Sequence, residues 1–349
     1  MKYKAENLCE FAEQAMVKGG MGTEQAASTA RLLLEADLMG HTTHGLALCG
    51  PYIKSVKAGD LKPHGEVNVV KDSGGLVVWD ADYLPGVWVT EQAINLLCGR
   101  VPTHGITAVS IRRSGHIGCL QAFLPIATEK GYMIILTCSD PSVVGVAPYG
   151  GCEPKFTPDP LAVGIPTDGD PVLVDISSSI TSTSRLLQAR RAGEKLPGPW
   201  LLTPDGETTD DPEVGFADPP GSILPIGGVE YGHKGFGLAL MIEALTQGLG
   251  GFGRVDEPTV SWGASVFIQV LDPEAFGGKE AFTRQTSWLA QACRDTKPRP
   301  DVDKVRLPGE KGLALKRDML AHGVVLDDAV REMLEKLAEE FELEFPEPI

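Results

Sequence analysis

Three β-rich runs, MIILT (133–137), LAVGI (161–165) and VLVDI (172–176), follow one another with loops containing Pro and Gly, and no long helix, between them. Parallel neighbours need a crossover of a dozen or more residues, normally a helix. This stretch therefore predicts a mixed or antiparallel sheet rather than regular βαβ repetition. LVVWD (76–80), TAVSI (107–111) and SVFIQVL (265–271) share the β-branched character and the Gly, Pro and Asp boundaries of strands. Segments at 88–98, 120–130, 183–192, 234–249 and 280–295 read as helices interspersed among them.

The two ends of the chain have a different period. Leu8, Phe11, Ala12, Ala15 and Met16 line one helical face that stops at Gly19-Gly20. Thr23 is placed to cap a second helix carrying Ala26, Ala30, Leu33 and Leu34, and a third follows Pro51 and ends at Gly59. A last helix starts at Asp327-Asp328 and runs through Leu334, Leu337 and Phe341, with an acidic, solvated outer face. The expected fold is α+β: a helical domain from both termini (1–75 with 300–349) and an inserted sheet domain (76–299). The polar segment 203–224 reads as an exposed flap or an active-site cover.

The chain has 31 Lys and Arg against 47 Asp and Glu, a formal charge of −16. That balance argues against nucleic acid and anionic membrane surfaces as partners. No apolar run reaches the ~18–20 residues of a membrane span, and the best candidate, Leu238 to Leu249, carries Glu243. Met1 to Phe11 is charged and lacks the apolar centre of an export signal, and the seven cysteines contain no CxxC pair. Reduced thiols and a cytoplasmic location are expected.

Gly248-Leu249-Gly250-Gly251-Phe252-Gly253 matches a dinucleotide fingerprint as a string, but it follows an apolar helix where the fingerprint needs a strand. The histidines say more. Only seven occur, and three of the turns that hold them are GHTTHG (40–45), SGHIG (114–118) and GHKGFG (232–237). His41 and His44 have a spacing that can chelate a metal, which leaves a metal-dependent hydrolase or lyase as an alternative. With no third ligand nearby, no metal is assigned. A histidine beside a helix-ending glycine can also cap carbonyls, so structural and proton-transfer roles both stand for His44 and His116. His233-Lys234 opens an apolar helix whose glycines could leave amides free for an anion, or could instead serve close helix packing. Asp175-Ile176-Ser177-Ser178-Ser179 puts hydroxyls at a strand end, where they could meet a cofactor or cap the next helix. Gly309-Glu310-Lys311 lies in a turn able to close over a ligand.

At GHTTHG, SGHIG, DISSS, GHKGFGLALMIE and LPGEKG, in that order and spacing, the chain resembles the malate/L-lactate dehydrogenase family of the non-Rossmann type. The resemblance spans roughly residues 5 to 340. It implies an NAD- or NADP-dependent oxidoreductase, a homodimer acting on a small molecule, with a sheet domain unlike the usual dinucleotide fold. It implies catalytic roles for His44 and His116, as proton donor in some members and acceptor in others, and a substrate contact for Tyr52. Cofactor contacts are implied at Ser139, Asp175 through Ser179, His233, Lys234, Gly309, Glu310 and Lys311. Departures are also visible: Leu48 stands where many members have an arginine for a substrate carboxylate. Thr157-Pro158-Asp159-Pro160 replaces a T-N-P turn, and Asp140 follows Ser139 where ureidoglycolate dehydrogenase has an arginine. A non-catalytic relative is thus a further alternative, as is an anion held by Lys155 or Arg185.

Overall fold

The computed structural model describes residues 1–260 and 262–349. Its central sheet has seven strands: β1 (Asn68–Asp72), β2 (Leu76–Asp80), β3 (Ile106–Gly115), β4 (Met133–Ser139), β5 (Pro160–Ile165), β6 (Val172–Ser177) and β7 (Gly263–Leu271). They lie in the order β1-β2-β3-β7-β4-β5-β6. Among the described residues of this sheet, only β2 and β3 pair in parallel. They are joined through helix α4 (Gly86–His104), as a parallel crossover requires. The runs from 133 to 176 form consecutive antiparallel neighbours, and the fold is α+β.

Helices α1 (Ala5–Lys18), α2 (Thr23–Leu38) and α3 (Cys49–Ala58) come from the N-terminal part. The central region adds α5 (Thr183–Ala192), α6 (His233–Glu243) and α7 (Lys279–Arg294), and the C-terminal part adds α8 (Glu310–His322) and α9 (Asp328–Phe341). One core runs from Leu8, Leu33, Ile53 and Leu334 on the terminal helices into Val109, Ile111, Leu136 and Ile268 of the sheet. The division into a terminal helical part and a central sheet part therefore stays a proposal about chain organisation within a continuous core. On β3, Ser110 Oγ donates to the carbonyl of Thr246, in the π-turn Ala244–Gly248 that follows α6. Gly248 and Gly250 still lie in this helical segment and Gly251 and Gly253 follow it, with no strand before them. Among the described residues no helix is long and apolar enough to cross a membrane.

Several local expectations change. Gly22, in extended backbone, caps α2, and Thr23 is its first helical residue. The helix expected over 120–130 splits into a 3-10 turn at Leu120–Phe123 and a single turn at Pro125–Thr128, because Pro125 has no N–H to continue the ladder. Strand β1 is exposed at all five positions and carries Lys71 and Asp72, a charged sheet edge without an alternating signal. Helix α8 buries no residue fully, so only its first turn is legible. Within 203–224, Thr208–Thr209 and Ser222–Ile223 flank Leu201–Leu202 in a small antiparallel sheet. This sheet shares a separate core with Val146, Leu186, Ala189 and Leu196.

The registers bring several strand ends together. Gly115 pairs with Gly263, Ser139 with Ser265, and Pro160 with Ser177. One end of the sheet thus presents the last residues of β3, β4 and β6 beside the first of β5 and β7. The start of α4 abuts this end closely: a Cβ on Gly86 would lie 1.9 Å from the Gly115 carbonyl oxygen and 2.8 Å from that of His116. Both are backbone atoms with little room to yield. Gly86→Ala is expected to destabilise the fold by about 1–3 kcal/mol or more, read as a lower midpoint in urea unfolding. An unchanged midpoint would contradict the close approach.

Candidate active site

A cavity of about 440 Å³ opens at this end of the sheet, and His44, His116, Ser139, Asp175, Ile176 and Ser177 all lie on its wall. The turn that delivers His44 follows α2 and is fixed from below by Asp37. The Asp37 carboxylate is 5% exposed and accepts the Leu46 N–H at 2.8 Å. Gly45 lies against it, and a Cβ there would sit 2.2 Å from Asp37 Oδ1. His44 Nδ1 meets the Thr43 hydroxyl at 2.9 Å.

His116 leaves β3 and stacks between two rings. His44 lies on one contact, 6.0 Å between centroids at 24°, and Trp262 on another, 5.2 Å at 21°. Trp262 has φ of 65°, a backbone conformation costly for a bulky residue and found most often where surroundings demand it. Tyr52 is 3% exposed and lies behind His116 in a smaller void, not on the main cavity wall where a substrate contact would put it. Its hydroxyl is 2.8 Å from His116 Nδ1, and the Gly118 N–H also points at Nδ1, 3.3 Å away. An amide N–H can only donate, so Nδ1 is the acceptor and the neutral ring carries its proton on Nε2.

Electrostatics follow from this setting. Burial, and then the neighbouring His44, push His116 down to about 3, so it is uncharged at neutral pH. Burial, followed by the nearby His41, also lowers His44 from the ordinary imidazole value. The Tyr52 phenol is raised by burial and keeps its proton. The cavity's carboxyls, Asp140 and Asp175, are both raised by burial. Among the described residues no Lys or Arg side chain lines the cavity. Lys155 is exposed beside Glu153, and Arg185 is exposed on α5, so neither supplies the missing clamp.

The other expected residues divide into two groups. Ser178 and Ser179 are buried beneath the wall, where Ser178 Oγ donates to the Pro158 carbonyl and Ser179 Oγ to that of Thr181. His233 and Lys234 are exposed and off the cavity wall. Gly235 does not offer a free amide, because its N–H is spent on the Ile226 carbonyl at 3.2 Å, and a Cβ there would lie 2.5 Å from the Ser178 carbonyl oxygen. Close packing therefore explains this glycine. Gly309, Glu310 and Lys311 also lie off the wall, but their turn braces β6: the Leu173 N–H donates to the Pro308 carbonyl.

Sequence reasoning missed a polar network behind Ser139. Ser139 Oγ donates to Glu243 at 2.7 Å, and Arg254 pairs with the same carboxylate at 2.7 Å. Arg254 also donates to the Val143 carbonyl. Asp159, 0% exposed, receives the Thr157 hydroxyl on Oδ1 while its Oδ2 has no partner. Burial, and then Glu243, raise it to about 7, so it remains largely protonated below neutrality. A lone Glu243 on an otherwise apolar helix was the available signal; nothing local marked Arg254 or Trp262.

Comparison with known proteins decides the family: the malate/L-lactate dehydrogenase model matches residues 3–335. The chain belongs to the malate/L-lactate dehydrogenase family. It is an oxidoreductase of that family. A malate dehydrogenase of Pyrococcus abyssi is 29% identical over 341 residues, covering 95% of this chain and 93% of that one. The sulfolactate dehydrogenase structure from Methanocaldococcus jannaschii superposes with a TM-score of 0.88 at 27% identity, covering 99% and 98%. The Δ1-piperideine-2-carboxylate reductase from Pseudomonas syringae gives a TM-score of 0.84 at 26% identity, covering 97% and 100%. The family fold thus carries a histidine pair here, with no Lys or Arg among the described residues of the cavity wall.

The buried Asp37 sets a pH-dependent term in stability. Burial raises its carboxyl to about 7, against a weaker lowering by the Leu46 N–H. Between about pH 4 and 7 the folded chain keeps a proton that the unfolded chain releases, so stability falls as pH rises through that window. The loss reaches on the order of 4 kcal/mol by pH 8. Asp37→Asn keeps an acceptor for Leu46 without a charge. Its Tm should therefore rise relative to wild type between pH 5 and pH 8, whereas a constant difference would contradict the assignment.

Proposed function

We propose that the protein is a nicotinamide-dependent dehydrogenase/reductase that interconverts 2-oxo and 2-hydroxy acids, or related cyclic imino acids. In this reading His44 carries the proton and His116 is a neutral hydrogen-bond donor. The observation that carries the reading is the near-parallel pair of imidazoles on one cavity wall, one of them locked as the Nε2–H tautomer. Relatives named malate, lactate and sulfolactate dehydrogenases support it, as does the structurally similar piperideine-carboxylate reductase.

The surroundings suit NAD or NADP. Ser139, the Ile176-Ser177 stretch and the start of α5 at Ser182–Ser184 bring hydroxyls and helix-end N–H groups to the same cavity, with Ser178 and Ser179 beneath them. Such groups fit ribose hydroxyls and phosphates. His233-Lys234 and Gly309–Lys311 belong to the reading as outer supports of that stretch, through the Ser178 turn and β6. When bound, the nicotinamide supplies or accepts the hydride. The chain's own task is the proton. As a substrate carbonyl or imine is reduced, charge grows on its oxygen or nitrogen, and protonated His44 discharges it. His116 steadies the same atom through Nε2–H without being able to take a proton near neutrality. A positioned imidazole of this kind is worth roughly 10²–10⁴ in rate. The same reading takes the protein as a cytoplasmic homodimer acting on a small molecule.

A panel of 2-oxo acids and cyclic imino acids, run with NADH and NADPH side by side, tests the activity and selects the cofactor. No oxidation of either cofactor across the panel would overturn the reading. With a substrate in hand, His44→Ala should keep NAD(P)H binding, seen by nicotinamide fluorescence, and lose about 10²–10⁴ in kcat. Reduction should decline as pH rises through a midpoint below the ordinary imidazole value, because His44 is lowered and must be protonated. Full activity in His44→Ala, or a midpoint above that value, would remove His44 from the role.

A further inference from the structure

His41 is paired by sequence spacing with His44, but the structure gives it other company. Its ring nitrogen, the Cys119 thiol and an Asp175 carboxylate oxygen all lie within 4.8 Å of one another, and all three residues line the cavity. Cys119 Sγ is 3.9 Å from Asp175 Oδ2. Gln121 fixes the other two: its backbone N–H donates to Asp175 Oδ2 at 3.0 Å, and its side-chain oxygen meets His41 Nε2. The Gln121 amide is itself oriented by donation to the Leu173 carbonyl at 3.1 Å. Imidazole, thiol and carboxylate from three separate elements therefore converge under the control of one buried residue.

We propose that His41, Cys119 and Asp175 bind a divalent cation of the zinc class, with its remaining coordination positions open to the cavity. The donor set is chemically selective. A thiolate with an imidazole favours zinc over magnesium or calcium, and three protein ligands with an open position are the pattern of reactive zinc sites. Bond lengths of about 2.0–2.3 Å place tetrahedral ligands roughly 3.3–3.8 Å apart. Closing the cluster onto an ion thus asks for about an ångström of side-chain movement. Gln121 is the outer support such ligands require. Binding converts the Cys119 thiol to a thiolate and releases its proton to solvent.

The ion also supplies an electrophile to a cavity whose described lining holds no Lys or Arg. Leu48, 7% exposed, is packed in the core, and Arg254 is neutralised by Glu243. With the Cys119 thiolate and the Asp175 carboxylate the bound dication is formally neutral, so it acts as a Lewis acid, and its open positions match the carboxylate and carbonyl oxygens of a 2-oxo acid. This use of the ion rests on the proposed dehydrogenase reading; binding of the ion does not.

The test is a Co²⁺ titration of the chelator-stripped, full-length protein without cofactor. One equivalent should bind, with a thiolate-to-cobalt charge-transfer band in the near ultraviolet and the strong visible bands of four-coordination, and Zn²⁺ should displace it. Cys119→Ala should abolish the near-ultraviolet band and weaken binding by more than about 10-fold, and His41→Gln should weaken it comparably. No saturable band, or an unchanged band in Cys119→Ala, overturns the site. In a second arm, Zn²⁺ should raise kcat/KM for 2-oxo acids at least about 10-fold by lowering KM, while NAD(P)H fluorescence titration stays unchanged. The cobalt band without this gain overturns the substrate role alone. Loss of all NAD(P)H binding would overturn the dehydrogenase reading and leave the ion site standing.

Discussion

An imidazole held without a carboxylate partner is the constraint on which this site rests. His116 receives two hydrogen bonds on Nδ1, from the Tyr52 hydroxyl and the Gly118 amide, and has stacked rings as further company. In the widespread serine-hydrolase arrangement a carboxylate stabilises the imidazolium. Here the donors on Nδ1 work in the opposite direction and oppose a second proton. A group held neutral in this way is a dependable hydrogen-bond donor and a poor base, which is why the proposed reading gives the proton to its neighbour His44.

The fold supplies this arrangement from several directions. Tyr52 comes from α3, His116 from the end of β3, and His44 from the turn after α2 that Asp37 fixes. The continuous core between terminal helices and sheet ties α3 to β3, so the hydrogen bond between Tyr52 and His116 joins the two parts of the chain at the site. On the far wall, Ser139 is committed to Glu243 and Arg254, and Ser178 and Ser179 are committed to backbone carbonyls. The exposed hydroxyl and backbone surface available to a dinucleotide is correspondingly narrower than the sequence pattern suggests.

Much of this was legible in the sequence because it rests on local periodicity. The spacing of Leu8, Phe11, Ala15 and Met16 specifies α1, and the helix-free run of strands from 133 to 176 dictates antiparallel pairing. His44 and His116 stood out because few histidines share a turn with glycine. What escaped depends on contacts distant in sequence. Cys119 and Asp175 are separated by 56 residues and Ser139 and Arg254 by 115. No pattern in one segment reports such a meeting. Strand β1 and helix α8 escaped for a different reason: with no fully buried residues, they carry little of the periodicity from which elements are read. Gly235 shows that a glycine-rich helix start can serve packing and not anion binding.

The state of His116 is the direct test of this account. Nitrogen-15 chemical shifts of the histidine side chains, followed from pH 8 to pH 4, report both tautomer and charge for each ring. The account predicts a neutral His116 with its proton on Nε2 across the whole range, since burial and His44 hold it down to about 3. A His116 signal that titrates near the ordinary imidazole value, or that shows the proton on Nδ1, would contradict it.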